Sequence, residues 1–260
     1  MKKNTKKIVT AAGIAAGTAA VASLYAYVTI KALIDTALDR EMPKVMEKAD
    51  KRISGEKSSD EFTNRMESAS ESLAVQPNET VEIIAHDGEK LVGHYFPCEK
   101  PERVIIAFHG WRSSWHRDFG MISDFWYKNN CSVLYVEQRG QNNSSGEYMG
   151  FGLTERFDCL DWLNWEIERC GSDIPVYLAG VSMGATTVLM AAGLQLPPNV
   201  HGIMADCGFT SANAIWEHIA KDNLHIRFGI RSAIADRMCR RKIQVGSKEH
   251  STVEALKHTH

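Results

Sequence analysis

The stretch that most constrains this chain is Val176-Tyr177-Leu178-Ala179-Gly180-Val181-Ser182-Met183-Gly184-Ala185. An apolar run of strand character enters a Gly-x-Ser-x-Gly turn and leaves into small residues of helix character, Ala185, Ala191 and Ala192 among them. So tight a turn accepts only glycine on either side of the serine, and it lifts the hydroxyl of Ser182 clear of the sheet. The five-residue pattern alone arises by chance about 0.1 times in a chain of this length. The strand before it and the helix after it give it weight.

Composition sets the outer bounds. A chain of 260 residues, 44% hydrophobic and 24% charged, suits one globular domain with a sizeable core. The net charge of −2 gives no electrostatic reason to expect nucleic acid as a partner. Arg237, Arg240, Arg241 and Lys242 form a local basic run that reads as a solvated helix face. The six cysteines lie 11 to 37 residues apart without a C-x-x-C pair, which argues against zinc and thioredoxin-like chemistry. Buried free thiols are expected, and one disulfide stays open if the domain is extracytoplasmic.

At the amino terminus Lys2, Lys3, Lys6 and Lys7 precede an uncharged run from Ile8 to Ile30, closed by Lys31. As a helix that run spans about 34 Å, enough for a hydrocarbon core of roughly 30 Å. Residues 1–31 are therefore read as an uncleaved signal anchor, a transmembrane helix that gives the chain a membrane partner. Ala20-Val21-Ala22 offers a cleavage site, so secretion after signal removal is the alternative. The lysine cluster predicts a single-pass protein of the cell membrane with its main domain extracytoplasmic. Residues 32–79 read as a juxtamembrane helical linker: a helix from Ala32 to Lys51 kinked at Pro43, then, from Ser54 to Ser72, a polar stretch rich in Ser, Glu and Lys that is mobile or loosely helical. The domain proper is expected over 80–260.

Within it, Thr80 to His86 and Leu91 to Phe96 read as a hairpin turning at Asp87-Gly88. Val104 to Phe108 and Ser132 to Val136 are continuous apolar runs, as in strands buried on both faces. The first ends in His109-Gly110-Trp111-Arg112-Ser113-Ser114, the second in Glu137-Gln138-Arg139-Gly140 and, further on, Ser144-Ser145-Gly146. A helix with Leu153, Phe157, Leu160, Leu163 and Ile167 on one face follows; after the Ser182 turn and its helix, Val200 to Ala205 makes a further strand ending at Asp206. Strands alternating with helices predict an α/β fold, a mostly parallel sheet flanked by helices.

His109-Gly110, Arg139-Gly140 with Ser144 to Gly146, Gly152 with Glu155 and Asp158, Gly180 to Gly184, and Asp206 with Phe209-Thr210-Ser211 together resemble the α/β-hydrolases. The likeness is to the bacterial serine-aminopeptidase-like or monoacylglycerol-lipase-like esterases, and it covers about residues 80 to 211. It implies a serine hydrolase in which Ser182 attacks an acyl carbonyl of a small-molecule or peptide substrate, forming an acyl-enzyme. The backbone amides of Trp111 and Met183 would form the oxyanion hole. His109 would orient its loop, and Arg139 with Glu155 and Asp158 would brace the neighbouring one. No cofactor and no metal are implied; H-E-x-x-H, Walker and G-x-G-x-x-G patterns are absent from the sequence.

The resemblance also implies an acid and then a histidine on later strands, and neither strand is legible after Asp206. Residues 207–250 read as helices suited to a cap, and the fold is expected to be incomplete after its sixth strand, as in a carboxy-terminally truncated hydrolase. Asp206 is a possible acid, although its motif favours a structural part; His250, His258 and His260 lack a strand to aim them. The reading from another class is a non-catalytic binding or scaffold protein at the membrane that keeps the fold without the chemistry.

Overall fold

The computed structural model describes residues 2–43, 60–229, 231–257 and 259. Six strands form one sheet in the order β1-β2-β4-β3-β5-β6: β1 (Glu79–Ile84), β2 (Lys90–Phe96), β3 (Arg103–Phe108), β4 (Cys131–Glu137), β5 (Val176–Val181) and β6 (Val200–Asp206). β1 pairs antiparallel with β2, and β2 antiparallel with β4, whereas the β4–β3, β3–β5 and β5–β6 pairs are parallel. The Asp87-Gly88 turn closes the hairpin, with Gly88 N–H donating to Ala85 O and Ala85 N–H to Glu89 O.

The helices are α1 (Lys2–Leu38), α2 (Glu61–Ala74), α3 (Trp115–Lys128), α4 (Glu155–Cys170), α5 (Met183–Ala191), α6 (Ala212–His218), α7 (Arg231–Ile243) and α8 (Thr252–Leu256). A π-type turn over Ile219–Asn223 follows α6. Alternation along β3 builds two layers. Ile105 and Ala107 point toward α3, into a cluster with Trp115, Phe119, Trp126 and Tyr135. Val104, Ile106 and Phe108 point the other way, into a cluster with Trp162 and Leu163 of α4 and Val188 of α5.

A third cluster differs from expectation. Ile30, Ile34, Ala37 and Leu38 of α1 are buried with Met149, Phe151, Met183, Met190 and Trp216. The apolar amino-terminal helix therefore runs without a break into the core beside the Ser182 turn. Val21, Leu24 and Val28, earlier in the same helix, are exposed. The expected helix to Lys51 with a kink at Pro43 is corrected: α1 ends at Leu38, because the domain itself takes up its last carbonyls, and residues 44–59 lie outside those described. The polar stretch before Thr80 is also ordered in part as α2, capped by Asp60 accepting from Thr63 N–H at 2.7 Å, with Leu73 fully buried.

The basic run on α7 is not simply a solvated face. Lys242 pairs with Asp35 at 3.2 Å and with Asp39, tying α7 to α1, and Arg240 pairs with Asp236 and Glu249. All six cysteines are free thiols; Cys131, Cys159 and Cys239 are buried and Cys207 is exposed.

Candidate active site

The turn at Ser182 has the geometry its glycines require. Ser182 sits at φ 52° and ψ −110°, a left-handed conformation that a side chain tolerates only under constraint. The constraint is visible on both sides. A Cβ built on Gly180 would lie 2.3 Å from Gly184 O, and one built on Gly184 would lie 1.9 Å from Phe108 O. The elbow thus packs directly on the backbone end of β3. Ser182 N–H donates to Asp206 O at 2.8 Å, and Ser182 O accepts from Thr186 N–H at 3.1 Å as α5 begins.

The loop after β3 runs beside the elbow. A Cβ on Gly110 would stand 3.5 Å from Ser182 Cβ and 3.3 Å from Asp118 Oδ2. Asp118, in the first turn of α3, accepts from Gly110 N–H at 2.6 Å and from Ser113 Oγ–H at 2.6 Å, closing the loop on itself. Arg112 is held at φ 49°, its N–H donating to Gln141 Oε1 at 2.6 Å. Among the described residues neither the Trp111 nor the Met183 amide donates a hydrogen bond within the protein. Those two amides, expected as the oxyanion pair, sit on the two segments that meet here.

His109 is fully buried and holds the loop from beneath. Its Nδ1–H donates to Gly110 O at 2.7 Å, and its Nε2 accepts from Gln138 N–H at 3.3 Å and Asn142 Nδ2–H at 3.2 Å. Gln138 also donates to His109 O, while its Oε1 accepts from Thr187 Oγ–H at 3.0 Å, linking β4 to α5. That set of partners requires the neutral ring, and burial pushes its pKa below the usual histidine value, partly offset by Gly110 O. The unfolded chain, titrating near pH 6.5, then binds more protons than the native one below that pH. Stability conferred by neutral His109 is complete above about pH 6.5 and falls away as the pH drops toward the native pKa. Burial pushes His116 and His250 in the same direction, so a difference is needed. Unfolding free energies from urea titrations at pH 8, 7, 6 and 5 should fall less steeply in His109→Gln than in wild type, by up to about 1.4 kcal/mol per pH unit. Equal slopes would show that His109 titrates freely in the native protein.

Arg139 braces the next loop. Its Nε donates to Asp158 Oδ2 at 2.7 Å and its Nη1 to Asp87 Oδ2 at 2.7 Å. Glu155 accepts from Gly150 N–H and, at 2.9 Å, from Gly152 N–H, capping the loop that leads into α4. His86, Asp158 and Asp161 bring ligand atoms within 4.8 Å of one another, the spacing of a metal site. Their donors are committed, however: Asp158 to Arg139 and His86 Nδ1 to Asp161 Oδ2 at 2.8 Å. The guanidinium already supplies the positive charge a cation would bring.

Of the residues expected from sequence, Ser182, Met183, Trp111 and Asp206 converge on one end of the parallel strands. Asp206 meets the elbow through its carbonyl, while its side chain is exposed. Among the described residues no histidine or carboxylate hydrogen-bonds Ser182 Oγ. His250 lines a different pocket with Arg156 and Met190; His258 and His260 fall outside the described residues. Sequence reading missed Asp118, Gln138 and Gln141, whose partners are backbone groups of a loop and leave no spacing signature.

No family model matches this chain, and no curated protein matches it. Among solved structures, an esterase from Pyrococcus furiosus aligns in one crystal form with a TM-score of 0.55 and 18% identity, over 72% of this chain and 68% of that one. Another crystal form of the esterase gives 0.50 and 21%, over 60% of each chain. DcsB in complex with its substrate analogue gives 0.50 and 18%, over 64% of this chain and 54% of that one. The chain thus spans 60% to 68% of the length of the esterase it matches. At these identities the likeness reports architecture, and with the strand order it establishes that this chain has the α/β-hydrolase fold.

Proposed function

We propose that this chain is a membrane-anchored serine hydrolase that cleaves an ester, thioester or amide through an acyl-enzyme on Ser182. The observation that carries the reading is the strained backbone of Ser182, held at φ 52° between two glycines that admit no side chain. Strain of this kind persists where the surroundings impose it, and it clusters at reactive positions. Trp111 and Met183 amides would stabilise the oxyanion; Met183 also opens α5, whose first amides favour developing negative charge. Asp206, next to the elbow, stays the candidate acid only as the lesser reading, since its motif favours a structural part and its carbonyl, not its carboxylate, meets the elbow. The resemblance to serine-aminopeptidase-like and monoacylglycerol-lipase-like esterases supports an acyl substrate, as do the names of the structural neighbours. The apolar part of α1, preceded by four lysines, would span the cell membrane and leave the hydrolase domain extracytoplasmic, with secretion after cleavage as the alternative. The reading uses no metal, cofactor or nucleic acid.

One observation favours the second reading, a non-catalytic binding or scaffold protein: the lack, among the described residues, of a base hydrogen-bonded to Ser182 Oγ. A fluorophosphonate probe separates the two. Full-length protein in detergent should be labelled covalently, and Ser182→Ala should not be labelled at all. Labelling that survives in Ser182→Ala removes the nucleophile assignment, and folded wild-type protein that stays unlabelled supports the scaffold.

A further inference from the structure

The first turn of α4 carries a buried cation that has no counter-ion among the described residues. Arg156 is 8% exposed, and its Nε is buried with no hydrogen-bond partner. Among the described residues no carboxylate pairs with it; its guanidinium rests over the ring of Phe157, 4.6 Å from the centroid. Arg139, the other strongly buried arginine of this region, shows the contrast, since it pairs with both Asp87 and Asp158. Burying a guanidinium without an anion is unfavourable, because a ring face replaces little of the lost hydration. Burial alone acts on Arg156, pulling its pKa down with nothing opposing.

Arg156 lines a pocket of about 280 Å³, apart from the Ser182 site, together with Met190, Gly193, His250 and Ser251. Ser251 Oγ accepts from Glu254 N–H at 3.1 Å, which leaves its hydroxyl hydrogen to donate. Glu254 also borders the pocket, but its side chain is 63% exposed and pairs with Lys257 Nζ at 2.6 Å. The pocket therefore offers one unpaired guanidinium, a hydroxyl donor and an imidazole, in a volume that admits a small tetrahedral anion. Arginine presents a fork of donors that matches phosphate oxygens.

We infer that this pocket is an oxyanion site in which Arg156 binds a phosphate group, either the free ion or a phosphomonoester headgroup. The inference is independent of catalysis at Ser182, and so is its test. Full-length protein is melted in Tris chloride at fixed ionic strength, with inorganic phosphate or glycerol 3-phosphate exchanged for chloride up to about 20 mM. Wild type should melt about 3 °C or more higher at saturating phosphate, because a ligand that binds only the native state stabilises it. Arg156→Met and Arg156→Gln should lose the response, and Arg156→Lys should keep part of it. A rise with glycerol 3-phosphate as large as with phosphate assigns the phosphomonoester, and a rise with phosphate alone assigns the free ion. An equal rise in wild type and Arg156→Gln, or none in wild type, overturns the site. Should Arg156→Met fail to fold, calorimetric titration of Arg156→Gln and Arg156→Lys with phosphate decides the same point.

Discussion

Gly184→Ala is expected to abolish folding, or to lower stability by more than about 4 kcal/mol, the range reserved for severe backbone clashes in a core. The added methyl would stand 1.9 Å from Phe108 O and 2.7 Å from His109 O. These are backbone atoms at the end of β3, which is hydrogen-bonded to β4 on one side and β5 on the other, so neither can retreat. Gly180→Ala should behave similarly, its methyl meeting Gly184 O at 2.3 Å. Gly110→Ala serves as the internal control. Its methyl would meet Asp118 Oδ2 at 3.3 Å and Ser182 Cβ at 3.5 Å, contacts that a small shift of side chains absorbs. Soluble yield, far-UV circular dichroism and melting temperature should separate Gly184→Ala and Gly180→Ala from Gly110→Ala. A Gly184→Ala protein melting with wild type would mean that the elbow does not rest on β3.

The same physical logic explains what the sequence discloses. A buried parallel strand must be apolar on both faces, so β3, β4 and β5 announce themselves as Val104 to Phe108, Ser132 to Val136 and Val176 to Ala179. The elbow is legible because its constraint is local: two glycines and a serine within five residues. The seating of α1 is not legible, since an apolar helical period reads identically whether the helix meets lipid, water or a core. Its anchoring partners lie more than 70 residues away and address backbone carbonyls, which every residue type has. α2 reads only as a loosely helical stretch for another reason. Its small residues Ala69 and Ser70 let it lie against Gly120 of α3, where an added Cβ would meet Ala69 at 2.7 Å, so close backbone approach replaces an apolar stripe. Gln138 and Asp118, too, act on loop amides and carbonyls whose positions only the fold determines.

Ile34→Asp should detach α1 from the domain and loosen the loop that carries Trp111. Ile34 is fully buried beside Met149, Phe151 and Met183, and burying a carboxylate there in place of the apolar side chain would cost about 4 kcal/mol or more. The cost spreads because the end of α1 is held as a unit. Helix ends leave their last carbonyls without intrahelical partners, and here the domain provides them. Arg112 donates to Thr36 O at 3.1 Å, Asp39 O at 2.6 Å and Arg40 O at 2.9 Å. Trp111 Nε1–H donates to Ala37 O at 2.9 Å, and Met149 N–H to Leu38 O at 2.7 Å. Arg40 answers in the other direction, its guanidinium reaching Asn142 O and Ser144 O at 2.6 Å each. Trp111 and Arg112 therefore have their side chains on α1 and follow directly on Gly110, which borders Ser182, so losing the helix removes one of the supports of that loop. Hydrogen exchange at residues 110–114 and 147–149 should accelerate in Ile34→Asp relative to wild type, with the amides of β3 and β4 still protected. Arg112→Ala should accelerate the same amides to a lesser degree, and the double variant should add little, as expected of residues acting through one contact. Unchanged protection at 110–114 in Ile34→Asp would mean that the loop stands without α1, and that the amphipathic end of the helix is only a tether.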